Sequence, residues 1–193
     1  MIPSTRAVGT AALTLLAQGP TQQERAAGLR SDVPRSYKPT LSIQNGLATL
    51  AAQQFNAPSI AQFVYTLTQF PTIHAIEIGP HGKHLTPAAF ESYLPPIFVQ
   101  SPTVGDTVTS PLQISGTANT FEGSFTVELR AAGRRLLKHR VKAGSGSGTR
   151  GSFDAAIPFR IGRVANGILL AYALSPQNGR PVDVVRIPVR VSP

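Results

Sequence analysis

A chain of 193 residues, 41% of them hydrophobic, has room for one ordinary domain or two small ones and enough apolar matter to pack them, which excludes disorder throughout. Charged residues make up only 14%, Trp is absent, and Gly and Pro stand at 17 each, the balance of a turn-rich, strand-rich protein. The net charge of +9 points to anionic partners of any kind, while the absence of Cys excludes disulfide staples, thiolate zinc sites and thiol nucleophiles.

The N-terminal stretch holds Val8, Ala11, Ala12, Leu15 and Leu16 among Thr and Gln. This is helical spacing rather than the continuous apolar core of a signal peptide. Ser4 or Thr5 is the expected cap, and Gly19-Pro20 the stop. A short second helical turn follows from Thr21, with Glu24 placed for a capping box, and ends near Gly28-Leu29. Two strands, Lys38–Gln44 and Leu47–Ala52, flank Asn45-Gly46, the dipeptide that most readily takes the positive φ angles of a two-residue hairpin turn. Beyond Pro58-Ser59, Ile60, Phe63, Val64, Leu67 and Phe70 recur at three and four, an amphipathic helix that Pro71 terminates. His74–Ile78 alternates as a third strand before the turn at Pro80-His81-Gly82. The expected order is helix, strand, strand, helix, strand.

From Pro95-Pro96 the pattern changes to short β runs separated by turn residues every eight to twelve positions, as in an all-β sandwich. Seven strands are expected: Ile97–Gln100, Leu112–Gly116, Phe125–Ala131, Arg134–Lys142, Gly151–Phe159, Ile168–Ser175 and Val184–Val191. Ala132-Gly133 and Gln177-Asn178-Gly179 close hairpins. The predicted fold class is therefore an α+β chain of two domains, an α-β-β-α-β domain over 1–94 and a β-sandwich of about seven strands over 95–193, with the two prolines stiffening the connection.

Two stretches resemble known families. The run from Gln62 to Thr72, with Phe63-Val64-Tyr65-Thr66-Leu67-Thr68-Gln69-Phe70-Pro71 at its centre, resembles the signature helix of the GerMN domain of bacterial spore-germination and sporulation proteins. The leading helix, Gly19-Pro20-Thr21, Glu24–Leu29 and Asn45-Gly46-Leu47-Ala48 fit the same pattern. Where relatives carry an Asp-Leu-Ser run and a longer Gly-rich loop before that helix, this chain has Leu50–Phe55. The second half is similar to the immunoglobulin-like domain that accompanies GerMN. It carries Ser101-Pro102, Gly105, Ser110-Pro111, Ile114–Asn119, Phe121-Glu122-Gly123, the Ser145–Gly148 run, Gly151, Phe153 and Arg186–Val189. The resemblance implies an immunoglobulin-like sandwich behind a domain like the ring-building folds of secretion and sporulation channels. It also implies a noncatalytic, extracytoplasmic protein of the bacterial envelope that assembles with itself or with partner proteins. The native precursor is then exported or lipid-anchored, through a signal that this chain does not show.

The residues offer little chemistry against that reading. His81 and His84 form the one close histidine pair, which could hold a metal only if Glu77 or Glu91 approached; the simpler reading is a solvated loop. Gly144–Gly151 has the glycines of a phosphate cradle but neither the Gly-Lys-Ser/Thr nor the following helix of a nucleotide loop. It reads as a flexible connector that tolerates many sequences, though Lys142 and Arg150 beside it could touch an anion. Gly144–Gly148 also fits the letters of a nucleophile elbow without its strand-turn-helix setting, and the nine acids are too dispersed for a carboxylate pair. No catalytic residue, metal or cofactor is predicted, and a hydrolase is the least supported of the readings.

The basic charge is concentrated. Residues 1–95 carry six Lys/Arg against four Asp/Glu, and residues 96–193 carry twelve against five, leaving +2 and +7. Within the second half Arg130, Arg134, Arg135, Lys138, Arg140 and Lys142 fall on one hairpin, where strict alternation places Arg134, Leu136, Lys138 and Arg140 on one face. One reading is a solvated edge protected against aggregation. The other is a contact for anionic cell-wall polymer, lipid headgroups or a partner, with Arg134, Lys138, Arg140, Lys142 and Arg150 as candidate binding residues. Nucleic acid is not expected, because no aromatic platform for stacking bases accompanies the run.

Overall fold

A computed structural model describes residues 5–193, which divide into two compact units, one reaching to Tyr93 and the other running from Leu94 to Pro193. In the first, helix α1 (Thr5–Gln18) ends where the Gly19 N–H bonds back to the Leu15 and Leu16 carbonyls, with Gly19 at φ 76°. The expected cap at Ser4 lies outside the described residues. Helix α2 (Gln22–Ala26) starts from a complete Thr21–Glu24 capping box. Strands β1 (Leu41–Gln44) and β2 (Leu47–Leu50) pair antiparallel in the register Leu41↔Leu50. Asn45 at φ 49° and Gly46 at φ 81° form the turn between them. Helix α3 (Ala57–Leu67) begins earlier than Pro58-Ser59 suggests, because the Asn56 side chain accepts the Ser59 N–H and Pro58 fits the first turn. It stops at Leu67, ahead of Phe70. Strand β3 (Ala75–Ile78) then runs parallel to β2, giving the order β1-β2-β3, and a 3₁₀ segment covers Pro87–Tyr93.

The apolar stripe of α1 differs from the sequence expectation. Gly9, Leu13 and Ala17, at successive intervals of four, face inward, whereas Val8 and Ala11 are exposed and Leu15 is 65% exposed. The reason is steric: a Cβ on Gly9 would stand 2.8 Å from Leu41 Cδ2, so the helix seats on its smallest residue. Phe63 and Leu67 from α3, Leu41 and Leu50 from the hairpin, and Ile73 and Ile76 complete the core. Phe63 also meets two aromatics from loops, with ring centroids 5.2 Å from Tyr37 and 4.9 Å from Phe55.

The second unit is a sandwich of two sheets. One contains β4 (Ile97–Ser101), β6 (Leu112–Ala118) and β9 (Gly151–Ile157) in the order β4-β6-β9. The other contains β5 (Thr107–Val108), β7 (Ser124–Ala131), β8 (Arg134–Lys142), β10 (Ala165–Leu174) and β11 (Pro181–Val191) in the order β5-β11-β10-β7-β8. The expected seven strands are present, with the two-residue β5 in addition. Phe125 from β7 and Phe153 from β9 meet edge to face at 4.8 Å between centroids, inside a core that includes Ile97, Leu112, Ile114, Val127, Leu129, Leu169 and Val191.

Candidate functional site

Directly opposed residues in an antiparallel pair share a face, so the register of β7 sorts the basic hairpin into two sides. Phe125, Val127, Leu129 and Ala131 belong to the core, which leaves Ser124, Thr126, Glu128 and Arg130 on the outer face. Opposite these four stand Lys142, Arg140, Lys138 and Arg135 of β8, all exposed. On the far side β10 contributes Ile168, Leu170 and Tyr172, and β11 contributes Arg186 beside Leu170 and Arg190 beside Asn166. The outer face of the five-stranded sheet is thus a cationic surface spread over three strands.

This corrects the alternation expected from the sequence. Between Leu129 and Arg130 the pairing register shifts, so Leu136 is an extra residue, a β-bulge. It packs with Leu137 against the sandwich core. Everything before the bulge changes sides, so Arg135 rather than Arg134 joins Lys138 and Arg140 on the outer face, while Arg134 stands opposite core-facing Ala131 at the hairpin end. The signal was present in the sequence as two consecutive leucines in an otherwise alternating run.

Glu128 faces this basic surface, with its residue only 2% exposed. Its carboxylate accepts Arg130 Nε–H at 2.5 Å and Tyr172 O–H at 3.1 Å. Burial pushes the carboxyl up, but the hydrogen bonds from Arg130 and Tyr172 and the charges of Arg130 and Arg135 together hold it below the ordinary carboxylate value. Glu128 therefore stays ionised and tethers Arg130. Around the hairpin end two hollows open. One of about 540 Å³ is lined by Glu128, Arg130, Arg134, Arg135 and Asn166 among others. A second of about 520 Å³ shares Arg134 and Arg135 with the first and adds Leu136, Phe159 and Arg160.

Of the candidates named from sequence, Lys138, Arg140 and Lys142 lie together on the outer face and Arg134 borders both hollows. Arg150 is placed apart from them. It precedes β9, in the other sheet, and its guanidinium donates to the Pro95 carbonyl at 2.9 Å and to Thr117 at 3.4 Å, which turns it into an internal brace. Arg130, Arg135, Arg160 and Arg186 were not among those candidates.

The Gly/Ser segment is also not the permissive connector expected. Its Ser147 N–H bonds to the Thr120 carbonyl at 2.9 Å, the Gly148 N–H to Asn119 Oδ1 at 3.0 Å, and Ser147 Oγ accepts the Glu122 N–H at 2.9 Å. A Cβ on Gly146 would lie 2.0 Å from the Gly123 nitrogen, so that position admits no side chain. In the first unit Glu77 accepts the Thr49 hydroxyl at 2.8 Å. Among the described residues no group of three or more His, Cys, Asp or Glu is placed to hold a metal ion, and no helix is long and apolar enough to cross a membrane.

Comparison with known proteins assigns both units. Residues 2–86 match a family described as sporulation and spore germination, and residues 96–180 match an immunoglobulin-like domain of bacterial spore germination. No curated protein matches the chain. The chain thus consists of a sporulation and spore-germination domain, the GerMN type, followed by the immunoglobulin-like domain of bacterial spore germination.

Proposed function

We infer that the protein is a noncatalytic binding component of the bacterial cell envelope, exported or lipid-anchored in its native form, whose sandwich docks on anionic cell-wall polymer through the outer face of β7, β8, β10 and β11. The observation that supports this is the clustering of Arg135, Lys138, Arg140 and Lys142 on one exposed strand face, with Glu128 already held by Arg130 and Tyr172. Cations gathered on one side of a sheet attract and orient a polyanion. Co-sedimentation with purified cell wall tests it. Retention of the intact chain, lost when Arg135, Lys138 and Arg140 are all changed to Glu, is expected; unchanged retention would end the reading.

A second reading is assembly through the first unit, favoured by the exposed apolar positions Val8, Ala11 and Leu15 on α1. Spaced three and four apart, they form a stripe suited to a helix-packing contact. Analytical ultracentrifugation should then show self-association that Leu15→Glu abolishes. A monomer at all concentrations, with no envelope protein retained in pull-downs, would remove it.

A further inference from the structure

The two hollows at the end of the β7–β8 hairpin share Arg134 and Arg135, and every cation on their walls is an arginine: Arg130 on the first, Arg160 on the second, and the shared pair. The lysines of the hairpin, Lys138 and Lys142, line neither. Guanidinium groups present planar forks that grip oxyanions in two-point fashion, whereas an ammonium acts as a point charge. The chemistry at the hairpin end is therefore that of oxyanion recognition, and the lysine-bearing stretch is that of general attraction.

The shape adds a second constraint. A small isolated anion would occupy only a fraction of either hollow, whereas two open hollows of nearly equal volume, about 540 and 520 Å³, meeting at the same two arginines suit an extended chain that carries successive oxyanions. Asn166 offers an amide donor in the first hollow, and Leu136 and Phe159 give the second an apolar wall for the carbon skeleton of a repeat unit. The Glu128 carboxylate that borders the first hollow does not leave an opposing charge uncompensated, because Arg130 and Tyr172 hold it.

We propose that Arg134 and Arg135 form a saddle over which a linear anionic glycopolymer passes, with one oxyanion of the chain, phosphodiester or carboxylate, seated in each hollow. This rests on the basic-face reading above and narrows it. The saddle supplies affinity and register, and Lys138, Arg140 and Lys142 supply attraction that salt weakens.

The test is titration of the full chain, by calorimetry at physiological salt, with poly(glycerol phosphate), polygalacturonate, inorganic phosphate and a single-stranded oligonucleotide as probes. One variant carries Arg134→Gln, Arg135→Gln and Arg160→Gln; the other carries Lys138→Gln, Arg140→Gln and Lys142→Gln. Each removes the same charge, so a purely electrostatic surface would lose the same affinity in both. The saddle variant is expected to bind one of the two polymers about tenfold more weakly than the second variant, as loss of charge-assisted hydrogen bonds requires. Which polymer binds more tightly identifies phosphodiester or carboxylate as the recognised group. The charge-preserving pair Arg134→Lys and Arg135→Lys should also weaken binding, and its unchanged circular dichroism would exclude misfolding as the cause. Equal losses in the two triple variants would overturn the saddle while leaving the basic face standing. Failure of the unaltered chain to bind either polymer would overturn both. Inorganic phosphate or a single-stranded oligonucleotide bound as tightly as the better polymer would also overturn the saddle.

Discussion

Arg135 stands directly opposite Arg130 in the β7–β8 ladder, so two arginines share one face of the sheet as neighbours. Like charges across a ladder are destabilising by a few tenths to about 1 kcal/mol, and here the repulsion is eased because Arg130 is turned to Glu128. Arg135→Thr is therefore expected to raise the unfolding free energy by about 0.2–1 kcal/mol while weakening retention on anionic polymer. Chemical denaturation and co-sedimentation of one variant check both halves; a variant that is less stable would show that the attraction of Arg135 to Glu128 outweighs its repulsion with Arg130.

The Glu128 carboxyl titrates below its ordinary value, since Arg130, Tyr172 and Arg135 outweigh its burial. A depressed folded-state value means stability that is fully present above the ordinary carboxylate range and is lost as pH falls through the lowered folded value. Glu128→Gln should cost about 1.5–3 kcal/mol at neutral pH, the scale of hydrogen bonds to a charged group. The gap between variant and parent should narrow under acid, in urea melts taken at descending pH. A constant gap down to strongly acid conditions would show that the carboxylate charge is not what matters.

Gly146 has no room for a methyl group against Gly123. Gly146→Ala should lower stability by about 1–3 kcal/mol, the range for forced overpacking, whereas Gly162→Ala, where no atom lies within 4 Å of a built Cβ, should stay within about 0.5 kcal/mol as surface changes do. Thermal melts of the pair distinguish a fitted loop from a slack one.

Tyr37 is 6% exposed and its hydroxyl, buried in the aromatic cluster with Phe55 and Phe63, has no hydrogen-bond partner among the described residues. Burial also pushes its phenol up. Replacing an unsatisfied buried hydroxyl by hydrogen removes a desolvation cost of about 1–3 kcal/mol. Tyr37→Phe is thus expected to stabilise the chain, read as a higher denaturation midpoint with unchanged slope.

The elements were legible in the sequence where local chemistry decides them. Asn45-Gly46 fixed a hairpin, Thr21 and Glu24 a helix start, and the three-and-four spacing of Phe63, Val64 and Leu67 a helix facing the core. What was not legible depends on partners distant in sequence. The seat of α1 on Gly9 is decided by Leu41, and the inward turn of Arg150 by carbonyls of Pro95 and Thr117. The basic hairpin lies between these cases: its charge was plain, but the bulge at Leu136 reassigns Arg134 and Arg135, and period-two alternation cannot show such a shift. Tyr37 and Phe55 escaped notice because they come from loops, where no period marks a core residue.

Mapping amide chemical shifts of the isotope-labelled chain during titration with poly(glycerol phosphate) tests most directly whether the basic sheet face is where the protein binds. The largest shifts are expected on amides of β7 and β8, from Glu128 to Lys142, with strongest effects beside Ala132-Gly133. Shifts confined to the β4-β6-β9 sheet or to residues before Leu94, or no shifts at saturating polymer, would contradict it.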